Sequence, residues 1–107
     1  MKLYVVVRDD LPVGLQAAQA AHALREFQEQ HPEIERAWFT NSKTLVLLKA
    51  PDLWSLAKTA NDENVPLALN FEPDLQNQLT AVALGTQAKK LVHTLPLLGS
   101  EPRALTG

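Results

Sequence analysis

The chain has 107 residues, 46% hydrophobic and 21% charged, with twelve acidic against ten basic side chains and no cysteine. Those values describe one globular domain with a single core, exclude disulfide frameworks and thiol catalysis, and fit a reducing cytoplasm. A formal charge of −2 argues against a dedicated polyanion-binding surface, and neither a secretion signal nor a run near the roughly 20 apolar residues that span a bilayer is expected.

Lys2 to Arg8 is a nearly continuous β-branched apolar run, which predicts a first, central strand covered on both faces. Asp9 and Asp10 make the turn, and a helix begins near Val13 after Pro12, a residue tolerated at a helix start. Val13, Ala17, Ala20, Leu24 and Phe27 recur at helical spacing as the buried stripe. Gln16, Gln19, Glu26 and Gln30 then fall on the wet side, with Leu15, His22, Arg25 and Glu29 on the flank between. Pro32 stops this helix. Glu33 to Thr40 carries Trp38 and Phe39 and reads as a short irregular segment, and Asn41-Ser42 is a turn signal.

Thr44 to Ala50 reads as a second buried strand, and Pro51-Asp52 opens a second helix with Asp52 as its cap. Val65 to Phe71 and Leu79 to Gly85 read as two further strands joined by the Glu72 to Gln78 loop. Gln87 to Leu95 is a last helix ended by Pro96. The order β-α-β-α-β-β-α predicts an α/β fold, a three-layer sandwich with a four-stranded mixed sheet flanked by helices. Residues 1–98 form the expected single domain and 99–107 a flexible C-terminal tail.

The residues Arg8, Asp10, Leu11, Gly14, Ala17, Ala18, Gln19, Ala21, His22 and Ala23 roughly follow a pattern of the form R-x-D-L-x-x-G-x-G-K-x-A-A-Q-x-A-H-A. In this the chain resembles the type II peptidyl-tRNA hydrolases, and the order of elements resembles that fold from Lys2 to about Leu98. Leu15 stands where that family places its catalytic lysine, and Glu72-Pro73-Asp74-Leu75-Gln76-Asn77-Gln78 replaces the family's longer D-A-G-x-T-Q type loop. The resemblance implies hydrolysis of the acyl ester of peptidyl-tRNA or a related ester, a partner in the tRNA acceptor end, and a homodimer. The alternative is a catalytically inactive interaction or ligand-binding module on the same fold, since a leucine can only pack where a lysine would attract phosphate or polarise a carbonyl.

Four side chains are the catalytic candidates. Glu72 and Asp74 flank a stiffening proline at a strand end, where a carboxylate can orient or deprotonate water, and His22 can serve as its acid-base partner. Asp10 ends the first strand at the mouth of the expected cleft. Arg8, Gly14 and Gln19 are the substrate-binding candidates. Each has a plainer reading: Asp74 as a turn former, Glu72 as a solvated carboxylate, His22 as a hydrogen-bond donor at the helix-sheet junction, Asp9 or Asp10 accepting N–H bonds at the helix start. Gly14 suits a close backbone approach. Trp38, Phe39 and Trp54 suit core or subunit contacts rather than base stacking, and Lys89-Lys90 a solvated helix face. A zinc site from His22, Glu72 and Asp74 lacks metal-ligand spacing, so no metal and no cofactor is expected.

Overall fold

A computed structural model describes residues 1–100. Strand β1 (Lys2–Arg8) leads through Asp9-Asp10 into α1 (Val13–Gln30), followed by α2 (Pro32–Asn41) and β2 (Thr44–Ala50). Then come α3 (Leu53–Asp62), β3 (Leu67–Glu72), β4 (Gln78–Leu84) and a short α4 (Lys89–Val92). The sheet order is β2-β1-β4-β3, with β1 parallel to β2 and antiparallel to β4, and β3 antiparallel to β4. The strand ends Arg8, Ala50 and Glu72 therefore lie on one edge of the molecule, beside the start of α1.

Side-chain alternation along the strands divides the core into two layers. Leu3, Val5 and Val7 pack with Ala81 and Ala83 against Ala20, Ala23 and Phe27 of α1 and Trp38 of α2. Tyr4 and Val6 pack with Val82 and Leu84 against Leu53, Ala57 and Ala60 of α3 and Val92 of α4. The α/β sandwich with a mixed four-stranded sheet thus agrees with the expectation from sequence.

The expected irregular stretch at Glu33 to Thr40 is instead the helix α2. Pro32 ends α1 and also occupies the first position of α2, where its missing N–H costs nothing. Trp38 anchors α2: it is buried, and its indole N–H donates to the Thr44 carbonyl at 2.7 Å. Asp52 caps α3 as expected, accepting from the Ser55 N–H at 3.1 Å. The last helix is shorter than Gln87 to Leu95, because a 3-10 turn at Thr86–Ala88 precedes the four residues of α4.

The buried stripe of α1 is rotated from the expected one. Val13 is 69% exposed and Ala17 faces solvent, whereas Gln16 and Gln19 are buried together with Ala20, Ala23 and Phe27. Both glutamines find partners that sequence periodicity does not reveal. The Gln16 amide donates to the Leu11 carbonyl at 2.8 Å and, more weakly, to the Asp9 carbonyl at 3.3 Å, tying the strand-helix turn to the helix it opens.

Beyond α4, Leu97 forms an antiparallel bridge with Leu48 on the outer edge of β2. Gly99 takes a left-handed φ of 86°, which glycine adopts without penalty. The remainder of the expected tail, 101–107, lies outside the described residues. Among the described residues no helix is long and apolar enough to cross a membrane.

Candidate functional site

Two polar clusters occupy the sheet edge where β1 and β3 end, one on each face. On the α1 face, Gln19 is fully buried and sits at the centre of a network. Its Oε1 accepts from Asn70 Nδ2 at 2.7 Å and from the Thr80 hydroxyl at 2.5 Å. Its Nε2 donates to Glu72 Oε1 at 2.7 Å, and the other carboxylate oxygen of Glu72 accepts the Asp74 backbone N–H at 3.3 Å. No buried side-chain polar atom among the described residues lacks a partner.

The backbone explains how these groups meet. The β3–β4 register slips by one residue between Asn70/Ala81 and Phe71/Leu79, which leaves Thr80 unpaired in the ladder as a β-bulge. The bulge turns Thr80 toward the same face as Ala81, so its hydroxyl reaches Gln19 and Asn70. Along β3, which carries no extra residue, alternation runs on: Glu72 emerges on the α1 face while Phe71 stacks on Trp54 of α3, ring centroids 6.0 Å apart. A tight turn then holds Glu72 in place. Pro73–Leu75 make one 3-10 turn, Gln76 and Asn77 both take left-handed φ, and the Asn77 N–H donates to the Glu72 carbonyl at 2.9 Å.

The Gln19 amide beside it holds the Glu72 carboxyl below the usual carboxylate range, assisted by the Asp74 N–H and by the nearby charge of His22. Hydrogen bonds donated to the ionised form favour that form. The same environment makes Glu72 a weak base and a good acceptor, suited to orienting a water rather than stripping its proton. His22, one turn beyond Gln19 on α1, is solvent-exposed and close enough to feel Glu72's charge.

The second cluster lies on the α3 face. Arg8 Nε is 2.6 Å from Asp10 Oδ1, and a terminal guanidinium nitrogen donates to Gln78 Oε1 at 2.8 Å. Arg8 shares a hollow of about 350 Å³ with Asp52, Trp54, Asn77 and Gln78. The sequence candidates therefore separate. Gln19, His22 and Glu72 come together on one face, with Asp74 contributing its backbone N–H while its side chain is exposed, and Arg8 and Asp10 pair with each other on the opposite face. Gly14 does not serve a close backbone approach, because a Cβ there would meet nothing within 4 Å. No trio of His, Asp or Glu side chains is gathered to hold a metal ion among the described residues.

Residues 1–96 match the family described as peptidyl-tRNA hydrolase PTH2. The chain belongs to this family. Among solved structures it is similar to a protein of unknown function, Atu0240, from Agrobacterium tumefaciens, at 16% identity and a TM-score of 0.64, over 90% of this chain and 96% of that one. That likeness bears on the fold alone. No curated protein matches the chain.

Within this PTH2 chain the family-like segment supplies Gln19 and His22 from successive turns of α1, and Leu15 lies half-buried one turn before Gln19. Asn70, Thr80 and Gln78 are partners that the sequence reading passed over. Asn70 and Thr80 did carry a signal, since each is a polar residue at a covered position of an otherwise apolar strand, and such positions require a partner.

Proposed function

We propose that this PTH2 chain hydrolyses the ester joining an acyl group to the terminal ribose of tRNA, with Glu72 orienting the attacking water and His22 handling its proton. The observation that carries this reading is the Glu72 carboxylate, held ionised and fixed in direction by Gln19 at the C-terminal end of β3, where open α/β sheets place their ligands. The water oxygen bonds to the acyl carbon while its proton passes to the imidazole. Collapse of the tetrahedral intermediate breaks the bond to the ribose oxygen, which leaves with that proton. A solvent-exposed imidazole can both take a proton from water and return it to a leaving oxygen.

The test is release of free tRNA from purified peptidyl-tRNA. Turnover by the intact protein is expected, falling on the order of 10² to 10⁴-fold in His22→Ala and at least tenfold in Glu72→Gln. Absence of release at high protein concentration overturns the hydrolase reading. A binding module on the family scaffold is then favoured by Leu15, which offers the site an apolar surface in place of the family's cation.

A further inference from the structure

Glu72 can orient a water only if its own direction is fixed, and the fully buried Gln19 is placed to fix it. A glutamine amide has two nearly isosteric ends, and what surrounds them decides which way it points. Here two donors, Asn70 Nδ2 and the Thr80 hydroxyl, converge on one end at 2.7 and 2.5 Å. Turning the amide over would set its NH2 against the Asn70 NH2 and its oxygen against the Glu72 carboxylate. Both contacts would be repulsive in a buried, fully satisfied network, where an unmade hydrogen bond is costly.

We propose that Gln19 is the positioning residue of this site, its amide locked by Asn70 and Thr80 so that Nε2 points only at Glu72 and aims that carboxylate. The assignment rests on the reading of Glu72 as the water-orienting group, and it extends the site inward to two buried strand residues, Asn70 and Thr80. The bulge at Thr80 gains a purpose in the same step: without the extra residue, the hydroxyl would not share a face with Asn70. The other charged groups around Glu72 are His22 from α1 and Asp74 from the following turn; Arg8 of β1 and Asp10 lie across the sheet.

Carbon-detected NMR titration of the Glu72 side-chain carboxyl in the full chain decides the proposal. In the unsubstituted protein the Gln19 side-chain NH2 resonances should titrate together with Glu72, and Glu72 should titrate below the ordinary value of a glutamate side chain. Gln19→Met, which keeps length and removes the donor, should move the Glu72 midpoint upward. Thr80→Val, which removes one locking donor without adding charge, should move it upward by less, and Thr80→Ser should restore it. A folded Thr80→Val protein with an unmoved Glu72, or Gln19 NH2 resonances indifferent to Glu72 ionisation, overturns the lock; the second readout needs no variant to fold. Hydrolysis is read separately: if the carboxyl midpoint shifts while the acid limb of kcat/KM stays put, the lock stands and the role assigned to Glu72 in the reaction falls.

Discussion

At the scale of single residues, the arrangement turns on direction rather than on charge alone. Glu72 accepts hydrogen bonds with both oxygens, one from a buried amide and one from the turn it begins. Because its carboxyl is held below the usual range in the folded protein, the ionised form is favoured by folding. The resulting stability is present above the carboxyl's unfolded pKa and is lost as pH falls through its lower folded value. Glu72→Gln should therefore reduce stability near neutral pH and lose most of that disadvantage in acid. Urea denaturation of both proteins at about pH 7 and about pH 3 measures this difference. An equal gap at the two pH values would mean that the carboxylate gains nothing from its neighbours. Asp52 is lowered likewise by the Ser55 N–H it caps, so it weakens both proteins equally in acid and cancels from the comparison.

At the scale of elements, the β3–β4 connection sets the site, and it carries backbone strain to do so. Gln76 and Asn77 adopt φ of 57° and 58° in succession. Asparagine tolerates that region, whereas a glutamine there has no local compensation for its Cβ. Gln76→Gly should stabilise the protein by roughly 0.5–1 kcal/mol, net of glycine's greater chain entropy, and should leave the Glu72 titration where it was. A thermal or urea midpoint that falls instead would show the Gln76 side chain to be holding the turn. These same elements show what the sequence disclosed. β1, β2 and α3 were legible because apolar runs and the Asp52 cap are local signals, and each appears within a residue or two of its expected bounds. The loop from Glu72 was legible as a carboxylate at a strand end, and Gln19 and His22 as members of a motif. The burial of Gln16 and Gln19 was not, because a glutamine reads as wet until its partners are known, and three of them, Asn70, Glu72 and Thr80, lie more than 50 residues away. α2 was missed because Pro32 serves both as the stop of one helix and the start of the next.

At the scale of the whole molecule, a mixed sheet has two edges, and the outer edge of β2 is closed by the chain itself. The Leu98 N–H donates to the Leu47 carbonyl at 2.9 Å and the Lys49 N–H to the Pro96 carbonyl at 3.1 Å, flanking the Leu48–Leu97 bridge. The Lys49 ammonium adds a bond to the Ser100 carbonyl at 2.8 Å. An open edge strand presents unpaired N–H and C=O groups that pair readily with another chain, and β2 is vulnerable because its own Leu45 is already exposed. A chain ending at Leu95 should therefore lose about 2 kcal/mol, near 1 for each ladder bond, and should self-associate as its concentration rises. Light scattering against concentration, with urea denaturation alongside, tests both effects. Loss of stability without association would show that the strap adds ladder bonds without guarding the edge, whereas association without loss of stability would show the strap to be chiefly an edge guard. The Glu72 cluster is anchored on β3 and β4, with β1 between it and the strap. The shortened chain should therefore keep its Glu72 titration for as long as it stays dissolved and folded.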